Sequence, residues 1–75
     1  MKSQEKLSKR QQEVLDAIYY YKGQHSYSPS VRELGELVGL SSPATVHEHL
    51  STLKKKGYIT WKEKNYRTIE IVKEG

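Results

Sequence analysis

The chain is 75 residues long, enough for one small domain that buries only about 60% of its unfolded surface around a single core. With 35% hydrophobic and 29% charged residues and a mean hydropathy of -0.84, it has no apolar run near the roughly 20 residues that span a bilayer, and residues 1–7 lack a signal-peptide segment. The formal net charge is +4 and there is no cysteine, which excludes a disulfide framework and thiolate metal sites and fits a reducing, cytoplasmic compartment.

Residues 1–7 read as a flexible polar arm. Ser8 and Gln11 then stand three apart, the spacing of a capping box, and Gln11, Val14, Leu15, Ile18, Tyr21 and Lys22 recur on one side at helical spacing. Gly23 is expected to end this helix. Neighbours on a helix differ by about 100°, so Tyr19, Tyr20 and Tyr21 cannot all face inward; Tyr21 is placed on the core side, Tyr19 at its margin and Tyr20 outside.

A polar loop over 23–29 leads to Pro29 and Ser30. Ser30 and Glu33 form a second capping-box pair, and Val31, Leu34, Leu37 and Val38 make the expected buried stripe of a second helix. Gly35 lies inside that helix, where it costs up to about 1 kcal/mol relative to alanine, and it therefore implies close approach of another backbone. Gly39 supplies the left-handed residue of a tight turn.

The third helix is expected to begin with Ser42 as N-cap and Pro43 at its first position, where the missing N–H costs nothing. Val46, His49, Leu50 and Leu53 point inward. The opposite face carries Ala44, Glu48, Ser51 and Lys55, flanked by Thr45, His47 and Thr52, and is polar and short-chained. Such a face suits a helix lying in a major groove, where side chains must reach base edges. Gly57 stops the helix after Lys54, Lys55 and Lys56, cations that also suit the negative end of the helix dipole.

Residues 58–61 and 67–72 alternate polar and apolar residues around a polar segment whose best turn former is Asn65. They predict a β-hairpin with Ile59, Trp61, Ile69 and Ile71 inward, packed on the helices because two strands alone are marginal. The fold class is thus α+β, a winged helix-turn-helix with three helices and a two-stranded wing over 8–72, followed by a short tail or linker start at 73–75. Positive charge gathers at one end, where Lys54, Lys55, Lys56, Lys62, Lys64 and Arg67 face a single acid, Glu63. A local field of that kind attracts phosphate.

No catalytic or cofactor chemistry is legible. His47 and His49, two apart on a helix, point about 200° from each other and cannot grip one ion, and His25 is distant. No phosphate loop, nucleophile elbow or zinc-protease pattern is present. The chain is expected to have no enzymatic activity, no metal or cofactor and no small-molecule ligand.

Taken together, residues 7–15, 28–40, 42–50, 53–59 and 67–71 resemble, in order and spacing, the N-terminal DNA-binding domain of the LexA repressor family. The resemblance implies sequence-specific repression of the DNA-damage (SOS) type by a dimer on a palindromic operator in double-stranded DNA. The family's base-reading positions fall here on Ser42, Ala44, Thr45, His47 and Glu48. Chemically, Glu48 accepts from a cytosine amino group, Thr45 and Ala44 contact thymine methyls, and His47 donates to a purine. Ser41, Thr52, Lys54, Lys55, Lys62, Lys64 and Arg67 are the expected phosphate contacts. Members of the family continue into a C-terminal domain that carries self-cleavage and the main dimer interface. This chain is expected to be an excised domain or a small free-standing relative without that activity, monomeric or weakly dimeric in solution and paired on DNA. An alternative reading is a protein interaction module that acts with a larger regulator.

Overall fold

The computed structural model describes residues 6–62 and 65–72, with side chains described for all of these except 65–67. Three helices, α1 (Lys9–Gln24), α2 (Val31–Val38) and α3 (Pro43–Lys55), precede an antiparallel hairpin of β1 (Ile59–Lys62) and β2 (Asn65–Ile71). This is the winged helix-turn-helix arrangement.

Both predicted capping boxes form. The Ser8 hydroxyl accepts from the Gln11 N–H while the Ser8 N–H donates to the Gln11 side chain, and Ser30 and Glu33 repeat the exchange at the start of α2. Each box satisfies two backbone donors that no helical bond reaches. The end of α1 differs from expectation. Gly23 remains inside the helix, which runs to Gln24 and ends at His25 in extended conformation. The His25 N–H donates to the Tyr21 carbonyl at 2.8 Å and its ring packs on Tyr21 with centroids 4.1 Å apart, so the last turn closes without a left-handed glycine.

The core comprises Val14, Leu15 and Ile18 from α1, Leu34 from α2, Val46, Leu50 and Leu53 from α3, and Tyr58, Ile59 and Ile69. Tyr58, which alternation did not place inward, is buried just after the turn at Gly57 (φ +86°). Leu37, expected in the stripe of α2, is 45% exposed. The buried direction of α2 lies between Leu34 and Gly35, both fully packed, and Leu37 points about 110° away from it. Gly35 explains that orientation. A Cβ built there lies 2.7 Å from the Leu40 carbonyl oxygen and 3.5 Å from a Val46 methyl, so the turn backbone sits directly on the glycine. The Gly35 carbonyl also accepts the N–H groups of Gly39 (φ +76°) and Leu40, which closes the turn.

The hairpin pairs Ile59 with Ile71, Thr60 with Glu70 and Lys62 with Asn65, with an irregularity between Thr60 and Lys62. Asn65, expected as the turn former, therefore belongs to β2. The outer edge of β2 is covered at Ile69. Its N–H donates to the hydroxyl of fully buried Ser28 at 3.2 Å, and its carbonyl accepts from the Lys22 ammonium at 2.9 Å. An open strand edge is thereby tied to the α1–α2 connection. Ser28→Ala removes the acceptor of a buried N–H and should cost about 1–3 kcal/mol. Chemical denaturation would show this as a lower midpoint, and an unchanged midpoint would deny the tie any weight.

Candidate nucleic-acid interface

The second and third helices place the candidate site. Gly35 holds the turn against α2, and the Thr45 and Val46 N–H groups donate to the Ser42 carbonyl at 3.1 and 3.3 Å, which starts α3 at a fixed angle. Ser42 is the N-cap residue, yet its hydroxyl makes no capping bond, which corrects the expected side-chain cap. Its backbone, at φ -98° and ψ 116°, lacks the more extended ψ near 165° at which Ser8 and Ser30 cap. Ser42 is exposed at the start of the helix.

From there the outward face of α3 forms as its periodicity requires. Ala44, Glu48, Ser51 and Lys55 are exposed and lie within about 60° of one another around the axis. Thr45 and Thr52 share one flank, half-buried, while His47 and Lys54 share the other. Ser42, Ala44, Thr45, His47 and Glu48 are thus gathered on the first two turns, with no large apolar side chain among them. Ser41 is exposed one residue ahead of Ser42. A shallow groove between α2 and the start of α3 is lined by Arg32, Glu36, Leu40, Ser41, Pro43 and His47.

The lysine cluster divides. Lys54 and Lys55 are exposed on the last turn of α3, and Lys62 is exposed at the end of β1. Among the described residues, the ion pairs Arg10–Glu13, Lys22–Glu70 and Arg32–Glu36 involve none of these three. Lys56 points elsewhere. Its ammonium donates to the Lys6 carbonyl at 2.9 Å and to the Gln11 side chain at 3.2 Å, so it anchors the entry to α1. Thr52, expected on phosphate, donates its hydroxyl proton to the Glu48 carbonyl at 2.9 Å. A phosphate oxygen offers no donor in return, so Thr52 must break that bond to serve as a contact. Lys64 and the Arg67 side chain lie outside the described residues.

Sequence reading missed Arg32. Its side chain is 90% exposed and borders the same groove as Ser41 and His47, placing a guanidinium beside the start of α3. Only the position of α2 relative to α3 reveals this, because nothing in the local pattern separates Arg32 from any other helical arginine. Between α1 and α2, Tyr20 and Leu37 border a shallow surface together with Ala17, Val38, Glu13 and Asp16.

Taken as chemistry, the site offers hydroxyl, imidazole, carboxylate and methyl groups on one helix face, with cations at its far end and on the neighbouring strand. Those are the group types that read base edges and hold phosphates. Among the described residues no cluster of three or more His, Asp or Glu side chains is placed to hold a metal, and no helix is long and apolar enough to cross a membrane.

Comparison with known proteins gives the same picture. Residues 4–68 match the family model described as the LexA DNA binding domain. LexA repressors of Bacillus thuringiensis (strain Al Hakam) and Bacillus anthracis are each 53% identical to the chain over 70 residues, covering 93% of it and 34% of the relative. The LexA repressor of Halalkalibacterium halodurans is 55% identical over 67 residues, covering 89% of the chain and 32% of the relative. The chain therefore spans about a third of the length of the relatives it matches.

Proposed function

This chain belongs to the LexA DNA-binding domain family, and on that premise we propose that it represses transcription by seating α3 in the major groove of a palindromic operator. Ser42, Ala44, Thr45, His47 and Glu48 read base edges. Ser41, Lys54, Lys55 and Lys62, joined by Lys64 and Arg67 of the wing, hold the phosphate backbone. The observation that carries the reading is the exposed face of α3, short and polar over two turns and ending in cations that no described acid neutralises.

Two copies pair on DNA, one per half-site, because a palindrome repeats the same base edges about its two-fold axis. Residues 8–72 are the working unit, and its action in the cytoplasm is binding without catalysis. The regulated genes belong to a DNA-damage response, as the family resemblance implies.

The test is an anisotropy titration of a palindromic duplex and a scrambled duplex at two salt concentrations. Specific affinity should exceed nonspecific affinity by at least about 1,000-fold; equal affinity would remove the repressor reading. His47→Ala and Glu48→Ala should each relax base preference at one position by about 1–3 kcal/mol while leaving the salt slope nearly unchanged. If both weaken all sequences alike, α3 is not reading bases. The surface around Tyr20 and Leu37 favours a second reading, a protein interaction module, which predicts that changes to α3 leave the chain's partner binding intact.

A further inference from the structure

Lys54 and Trp61 come from different elements and meet where the recognition helix joins the wing. The Lys54 ammonium stands 4.5 Å from the centre of the Trp61 ring. Trp61 is half-buried and packed against the core, so its ring is a fixed platform, whereas Lys54 is exposed on the last turn of α3. The next residue of β1, Lys62, is exposed at the end of the strand, where its pairing with β2 is irregular.

We infer that Trp61 is a positioning residue for DNA binding, holding the Lys54 ammonium over its ring so that the cation meets a backbone phosphate already ordered. This rests on the DNA-binding reading above. A free lysine carries rotamer entropy, much of which a phosphate contact must otherwise remove. A cation over an indole face is attracted by the negative face of the ring, and only one side of the ammonium is used. Its remaining N–H donors stay directed to solvent, where a phosphate approaches. The α3 dipole draws the same cation toward the helix end, so ring and helix hold Lys54 together. Because the ring belongs to β1, the contact also fixes the helix end relative to the wing. Phosphates held by Lys54 and by Lys62 are thereby kept in one register.

The experiment is a double-mutant cycle on the complete 75-residue chain, using Lys54→Ala, Trp61→Leu and Trp61→Phe. Two readouts are taken: anisotropy of a fluorescein-labelled palindromic duplex, and the emission of Trp61, the chain's single tryptophan. Trp61→Leu should weaken duplex binding about three- to ten-fold, Trp61→Phe by less, and Trp61→Leu should add nothing once Lys54 is alanine. Lys54→Ala should shift the Trp61 emission in the protein without DNA. Equal losses from Trp61→Leu with and without Lys54 would assign the ring to packing alone and overturn the positioning role while DNA binding stands. An emission unmoved by Lys54→Ala would deny the contact. An emission shifted by Lys54→Ala, beside a wild-type chain that binds no duplex, would leave the contact intact, but the DNA-binding reading would fail and the positioning role with it.

Discussion

Replacing Lys54, Lys55 and Lys62 together with glutamate is expected to weaken operator binding by at least about 100-fold near physiological salt. The three side chains are exposed, engaged in no ion pair among the described residues, and arranged along the end of α3 and the start of the wing. Each phosphate contact releases counterions, so three lost contacts should lower the slope of log affinity against log salt by about 2.7. Lys56→Ala is the matched control. Although Lys56 adjoins the other two in sequence, its ammonium is bound to the Lys6 carbonyl and Gln11, and its loss should leave the salt slope unchanged. A triple variant with wild-type affinity and slope would show that the lysines do not face DNA. A Lys56→Ala slope reduced by about 1 would show that the cluster acts as a whole.

The second large effect concerns the turn. Gly35→Ala should destabilise the domain by about 1–2 kcal/mol, because overpacking toward the upper end of about 1–3 kcal/mol is offset by up to about 1 that alanine recovers through helix propensity. Its Cβ would meet the Leu40 carbonyl oxygen at 2.7 Å, a backbone atom that cannot rotate aside. The turn must move instead, and α3 moves with it. For a domain of this size the melting temperature should fall by roughly 10 °C. Gly23→Ala makes the same chemical change in α1, where a Cβ meets nothing within 4 Å, and should stabilise by about 0.5–1 kcal/mol. Opposite signs at the two glycines in thermal melts support the account. Stabilisation at both would show that Gly35 is not the contact that sets the turn.

That contrast shows what local sequence carries. Gly35 was legible because a glycine inside a helical stripe breaks propensity, and a broken rule invites a tertiary reason. Ser8 with Gln11, and Ser30 with Glu33, were legible because both capping partners lie three residues apart. The order of three helices and a hairpin followed from such signals. Ser28 was not legible, since its hydroxyl answers the Ile69 N–H 41 residues later and nothing near Ser28 announces the strand edge it covers.

Periodicity misled at Leu37 for a related reason. A stripe says which residues share a side of the helix, but the neighbours decide where the buried arc is centred, and here Gly35 drew it away from Leu37. Within the site, the outward face of α3 followed from spacing alone. The fates of its members did not. Thr52 bonds back to its own helix, Lys56 turns to the arm, Lys54 is held by Trp61 and Ser42 leaves its cap unmade, each through geometry that one helix cannot specify.

The central claim is that two turns of α3 read bases. Its most direct test is selection of bound duplexes from a random pool, performed in parallel with the wild-type chain and the His47→Ala/Glu48→Ala double variant. The wild type should enrich a palindromic site, and the variant, still bound through its lysines, should lose preference at particular positions within each half-site. A pool left without any enriched sequence by the wild type, or the same site enriched with equal strength by both proteins, would contradict the claim.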